Sequence, residues 1–364
     1  MSRTLPILDP GPVRPNYAVG PRSLEAVRLL RLSVTDRCNL RCVYCMPEEG
    51  VGFADRADLL SPEDFLAVAH AAASVGVTHF KLTGGEPTVR ADLPEIVAGL
   101  AAMSPADLSM TTNGLLLGPL VEPLKRAGLK RITVSWDTMR EERFARIARG
   151  QGRDGRAALT RLREGLEAAE LAGLSPIKIN MVVLAGVNDD EAEDFAALTL
   201  ERPWTVRFIE YMPLGESSMT RGGACGEGAL GEGEPGASTL DNAVLRRRIE
   251  RRLGPLRPVL RELEPGVGPA EVYRLDGAMG RIGFISAMSR PFCEACNRLR
   301  LTATGELRSC LFEGGEVDVL PLLREEGPAE TRRERLVEAM RRCVAMKPVV
   351  HGGRGNRAMS QMGG

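Results

Sequence analysis

Between residues 29 and 212, short apolar segments alternate with longer amphipathic ones. The short segments fall at 29–34, 79–83, 108–112, 131–135, 177–184 and 206–211, with the length and branched content of buried strands. Helical stretches separate them near 62–74, 93–101, 117–127, 157–172 and 190–200. Ser61-Pro62-Glu63-Asp64 supplies a start signal, an N-cap residue with proline at the first helical position. Such alternation makes βαβ units, and βαβ units make a parallel sheet. Six units are too few for a closed eight-stranded barrel. The expected fold is therefore α/β, a partial (βα)6 TIM-type barrel with functional residues at the carboxyl ends of its strands.

Residues 1–28 are rich in Pro and Gly, lack an apolar signal core, and read as a flexible arm before a barrel at 29–214. Residues 215–238 carry eight glycines and hardly any large apolar side chain, too little to bury a core. They read as a mobile linker or lid, with Cys225 an incidental thiol. A smaller C-terminal domain, 239–364, follows, with helices near 240–252 and 331–345. Cys343 in the last helix reads as a core thiol. Basic and acidic residues number 48 each, so no global field argues for nucleic acid or a membrane surface. No apolar run approaches the roughly 20 residues that span a bilayer. The expected compartment is the cytoplasm, where thiols stay reduced and clustered cysteines point to metal before disulfide.

Two cysteine sets carry that reading. Cys38, Cys42 and Cys45 are spaced C-x3-C-x2-C directly after the first strand, and Cys293, Cys296 and Cys310 are spaced C-x2-C-x13-C. Each set offers three thiolates, one fewer than structural zinc or an ordinary ferredoxin cluster takes. Zinc with a remote fourth ligand is one reading, although His70, His79 and His351 show no ligand spacing. An iron–sulfur centre with one iron left open for a substrate is the other. Thr83-Gly84-Gly85-Glu86-Pro87 closes the second strand, and its glycines allow close backbone approach to a ligand. Only five of the 48 basic residues are lysines, and two of these, Lys81 and Lys178, sit inside apolar strands. Arg298-Leu299-Arg300 puts two guanidinium groups on one face beside the second cysteine set, which suits a polyphosphate as well as a solvated strand. Gly363-Gly364 ends the chain, by itself an ordinary frayed end.

The C-x3-C-x2-C loop with Tyr44 before its last cysteine, followed by the GGEP turn, resembles the radical S-adenosylmethionine superfamily. Further likeness lies in Arg31-Leu32-Ser33-Val34-Thr35-Asp36, Thr111-Thr112-Asn113-Gly114, Arg207-Phe208-Ile209-Glu210-Tyr211-Met212, the C-x2-C-N-R-L-R element and the terminal Gly-Gly. These resemble the GTP-cyclising family of molybdenum cofactor biosynthesis, over roughly residues 29–364 apart from the linker. The resemblance implies a lyase in which a 5′-deoxyadenosyl radical takes the ribose 3′ hydrogen of GTP. That carbon then joins guanine carbon 8, closing a ring and giving 3′,8-cyclo-7,8-dihydro-GTP after reduction. Two [4Fe–4S] clusters are implied, one on Cys38, Cys42 and Cys45, the other on Cys293, Cys296 and Cys310 with its open iron on the guanine. Tyr44, Gly85, Ser135 and Met212 would line the S-adenosylmethionine site. Arg31, Lys81, Thr111, Lys178, Arg298, Leu299 and Arg300 would hold GTP, with Arg31, Lys178, Arg298 and Arg300 also acting in catalysis. Lys81 stands where the family usually has arginine, which loses the planar fork for a bidentate phosphate contact. The Gly-Gly tail would reach into the active site. Cyclic pyranopterin monophosphate synthase would be the downstream enzyme, the electron donor is unidentified, and a homodimer is one assembly open to the chain. Two other classes compete: a radical enzyme acting on a peptide, for which no docking module is evident, and a zinc-binding protein, which has no use for GGEP.

Overall fold

The structure is a computed structural model that describes residues 20–47, 49–215, 217, 240–260, 266–312, 316–355 and 357–363. Most of the N-terminal arm, most of the 215–238 linker including Cys225, and Gly364 lie outside the described residues.

Six strands form in sequence order and pair in parallel: β1 (Leu29–Ser33), β2 (His79–Thr83), β3 (Asp107–Thr112), β4 (Arg131–Ser135), β5 (Lys178–Val183) and β6 (Thr205–Glu210). Their residues alternate in character, and a strand sends alternate side chains to opposite faces. Leu30, Phe80, Met110, Val134, Ile179 and Phe208 are wholly buried on the apolar face. Polar residues such as Arg31, Lys81, Ser109, Thr133 and Arg207 occupy the positions between. The helices α1 (Pro62–Ser74), α2 (Leu93–Ala102), α3 (Val121–Arg126), α4 (Glu141–Ala148), α5 (Gly155–Leu171) and α6 (Ala192–Glu201) lie in the crossovers. α1 starts as its sequence requires. Ser61 Oγ accepts from the Asp64 amide at 3.2 Å, and the Asp64 carboxylate accepts from the Ser61 amide at 2.8 Å.

A partial barrel leaves two open edges whose backbone groups need partners. C-terminal strands supply both. At the β1 edge, β10 (Arg298–Leu301) pairs in parallel and continues antiparallel into β11 (Glu306–Arg308) and β12 (Val317–Asp318). At the β6 edge, β9 (Arg281–Ile285) pairs in parallel and continues into β8 (Glu271–Leu275) and β7 (Leu256–Pro258). The described strands thus form one twelve-stranded sheet, and the C-terminal part extends the barrel sheet at both sides. α7 (Asn242–Leu253) packs on α6 and α9 (Ala329–Ala345) packs on α1, with α8 (Leu320–Arg324) just before α9. α10 (Met359–Met362) ends the described chain beside Gly363. Among the described residues no helix is long and apolar enough to cross a membrane.

Candidate active site

The first cysteine loop follows β1 and is pinned from two sides. The Gly85 amide donates to Thr35 O at 2.7 Å and the Glu86 amide to Arg37 O at 2.8 Å. On the other side, Arg41 N donates to Ala148 O at 2.8 Å and Val43 N to Ile147 O at 3.0 Å. The GGEP glycines therefore allow close approach of the chain's own cysteine loop, since a Cβ on Gly85 would lie 2.3 Å from Arg37 O. Glu86 is buried beneath the turn. It accepts from Thr112 Oγ1, Thr88 Oγ1 and the Asn113 amide, each at 2.6 Å. α4 was not expected from the charged run at 140–149. Phe144, Ile147 and Ala148, spaced i, i+3, i+4, are its buried face and the signal that marks it.

Both cysteine sets line one chamber, with a cavity volume of about 290 Å³. Tyr44, Gly85, Ser135 and Met212 line it too, as do Arg31, Lys81, Thr111, Lys178, Arg298 and Arg300. Leu299 does not. Its side chain is wholly buried in the core on the opposite face of β10, so only its backbone is available to a ligand. The six cysteines of the two sets are free thiols. Among the described residues no three His, Cys, Asp or Glu side chains converge as a single-ion site. A four-iron cluster takes one thiolate per iron and needs no such convergence. Within each set the thiols lie close enough to raise one another's cost of ionisation, so each offers a cluster three neighbouring sulfur donors.

The two sets differ electrostatically. Burial, with the Glu86 charge adding to it, pushes Cys38 up to about 12, and burial pushes Cys45 up to about 11. Burial also opposes ionisation of Cys296, but Arg298 and Lys347 outweigh it and bring that thiol down to about 6. Tyr44 Oη donates to Asp137 Oδ2 at 2.7 Å, and the Val182 amide donates to Oδ1 at 2.8 Å. Burial holds Asp137 up at about 6.

Cations crowd the rest of the chamber. Lys81 is 8% exposed, and its ammonium donates to Thr133 Oγ1 at 3.0 Å. Burial, then Arg207, Arg31, Arg131 and Lys178, hold it well below the ordinary lysine value. Arg31 is lowered by its enclosure and by Arg300, Arg298 and Arg207. Arg300 falls to about 10, through burial and then Arg298. Like charges enclosed together in this way favour a multiply charged anion. Sequence reasoning had not assigned Arg207 or Arg131 to the site, though both line it. Arg131 is paired with Asp107 at 2.7 and 2.6 Å. Their signal was available: each occupies a polar position of an alternating strand.

The tail enters the same chamber. Gly355 is bridged to Leu214, Arg357 Nη2 donates to Glu306 Oε1 at 3.2 Å, and Met359 and Ser360 line the wall. Gly363 then accepts from Arg300 Nη1 at 3.2 Å, with φ of +72°.

A partial barrel with a three-cysteine loop after its first strand defines a radical S-adenosylmethionine enzyme. The Radical SAM superfamily description matches residues 32–199, and Molybdenum Cofactor Synthesis C matches residues 204–352. A Pelotomaculum thermopropionicum protein named GTP 3′,8-cyclase is 45% identical over 93% of this chain and 98% of its own length. A Moorella thermoacetica protein of the same name is 42% identical over the same shares. The chain belongs to the GTP 3′,8-cyclase family. Among solved structures, Streptococcus suis SuiB bound to S-adenosylmethionine aligns with a TM-score of 0.52 at 14% identity, over 86% of this chain and 68% of that one. That likeness concerns the fold alone.

Proposed function

We propose that this chain converts GTP to 3′,8-cyclo-7,8-dihydro-GTP, the first step of molybdenum cofactor biosynthesis. The observation that carries the reading is the single chamber lined by two cysteine triads and by a cluster of enclosed cations. Cys38, Cys42 and Cys45 hold the first [4Fe–4S] cluster, and Cys293, Cys296 and Cys310 hold a second. When bound, the first cluster supplies the electron that cleaves S-adenosylmethionine to the hydrogen-abstracting 5′-deoxyadenosyl radical.

The protein's own task is orientation, because both reacting carbons belong to one flexible nucleotide. Arg31, Lys81, Lys178, Arg298 and Arg300 engage the triphosphate and ribose, with Thr111 and the Leu299 backbone beside them. Holding both ends of GTP removes the rotational freedom that otherwise separates the ribose 3′ carbon from guanine carbon 8. Tyr44, fixed by Asp137, joins Gly85, Ser135 and Met212 around the S-adenosylmethionine. The tail lines the chamber at Met359 and Ser360 and limits water, which protects a radical from quenching. On this reading the reaction is cytoplasmic, and cyclic pyranopterin monophosphate synthase consumes the product.

Anaerobic incubation with GTP, S-adenosylmethionine and a reductant, followed by product identification, tests the proposal. Cleavage of S-adenosylmethionine with GTP recovered unchanged would refute it.

A further inference from the structure

Lys347 is 3% exposed, which makes it the third lysine that this arginine-rich chain buries. It lies just past α9, outside the cluster of cations described above. Its Nζ donates to two backbone carbonyls, Cys296 O and Arg298 O, each at 3.1 Å. The carbonyl between them, on Asn297, serves β1 instead, accepting from Arg28 N at 2.9 Å and Leu29 N at 3.2 Å. Alternate carbonyls of an extended segment point to opposite edges, so Cys296 O and Arg298 O share the outer one. β11 covers that edge only from Arg300 onward, through the pairs Arg300↔Arg308 and Leu301↔Leu307. The ammonium thus stands where a neighbouring strand would, satisfying two buried acceptors before the strand begins. Its own carbonyl accepts from Arg22 Nε at 2.8 Å, which ties the helix end in place.

We infer that Lys347 is a positioning residue for the second cysteine set, fixing the turn between the thiolate ligand Cys296 and the nucleotide-facing Arg298 and laying a positive charge against the cluster bound there. The inference rests on the second-cluster reading proposed above. Two functions share that turn. A shift of Cys296 disturbs the cluster, and the same shift moves Arg298, whose guanidinium also sits 4.8 Å from the Phe292 ring. A nearby cation stabilises the more negative redox state, so the second cluster is easier to reduce with Lys347 present than without it.

The test uses the full chain, anaerobically reconstituted, as parent, K347M and K347Q. Methionine keeps the packing of the stem and removes both hydrogen bonds and the charge. The readouts are melting temperature, iron per chain, the midpoint potential of the second cluster by spin-resonance titration without GTP, and KM for GTP against kcat. The parent is expected to hold about eight irons. K347M is expected either to lose about half of them or to carry the second cluster at a more negative potential, with KM for GTP raised about tenfold, the scale of one lost charged contact. A parent with only about four irons would sink the second-cluster reading itself. A parent with about eight, beside a K347M chain unchanged in iron, potential and KM, overturns the role of Lys347 alone. Should K347M not fold, K347Q is read in the same way. Its neutral amide cannot supply the charge, and a parent-like potential there overturns the inference.

Discussion

Lys81→Met should move stability and nucleotide affinity in opposite directions. In the nucleotide-free chain the Lys81 ammonium is buried among Arg31, Arg131, Lys178 and Arg207, with Thr133 Oγ1 as its hydrogen-bond partner. Replacing a buried charge by an apolar side chain of similar shape is often stabilising, here by about 1–2 kcal/mol given the repulsion relieved. For a large domain that raises Tm by about 2–4 °C. With GTP bound the balance reverses, because the variant lacks a charge-assisted contact worth about 1.5–3 kcal/mol. Kd for GTP should then rise roughly 10- to 150-fold. The pH dependence has a definite sign. Lys81 has a folded value depressed below its unfolded one, so between the two the unfolded chain binds more protons and stability rises with pH. That rise should be shallower in the variant. Thermal melts across pH without nucleotide, and anaerobic calorimetry with GTP, measure the two arms. A lower Tm in the free variant together with parent affinity for GTP would refute the account of a strained cation cluster awaiting a polyanion.

Cys42→Ser should cut S-adenosylmethionine cleavage at least 100-fold even without GTP, measured as 5′-deoxyadenosine released, because three thiolates are the fewest that hold the cluster in this loop. In Gly363→Ala a Cβ would lie 2.5 Å from Thr83 Oγ1 at a φ of +72°, and the left-handed conformation alone costs roughly 1–2 kcal/mol. Cyclisation should fall about tenfold or more by product assay while GTP affinity changes far less, and equal turnover would make the tail a bystander. In Asp137→Asn the side-chain oxygen remains with the Val182 amide, so the Tyr44 hydroxyl must accept where it now donates. The loss is about 1–3 kcal/mol, read as a rise of roughly 5- to 150-fold in KM for S-adenosylmethionine.

The strand order and both cysteine sets were legible because each is local. A βαβ repeat declares its parallel sheet within some thirty residues, and C-x3-C-x2-C needs no distant partner. The placement of β10 against β1 was not, since the segments lie some 270 residues apart and no local pattern says which edge a late strand will seek. The two open edges of a partial barrel supply the reason after the fact. The tail was expected in the active site from resemblance alone. Its route depends on long-range pairs, Gly355 with Leu214 and Arg357 with Glu306, that no periodicity encodes. Arg207 and Arg131 are a different kind of miss. In Thr205-Val206-Arg207-Phe208 and Arg131-Ile132-Thr133-Val134 the period of two was present, and reading these strands only as apolar runs hid the polar face.

That polar face explains how one sheet can carry a cysteine set at each side and a cluster of cations between them. Interior positions of a small closed barrel are filled by packed side chains, and charge there is costly. Leaving the barrel open, and widening it with β10 and β9, keeps a cavity into which Arg31, Lys81 and Arg300 project without being wholly cut off from an anion. β10 carries both roles at once, since Arg300 aligns with Arg31 across the β1 pairing while Cys296 precedes the strand by two residues. A change in register of one residue on β10 would turn both arginines into the apolar core and bring Leu299 into the chamber. The pairing of a late strand with the first one is therefore what joins the cation cluster to the second cysteine set, and the contacts that hold its outer edge bear on both.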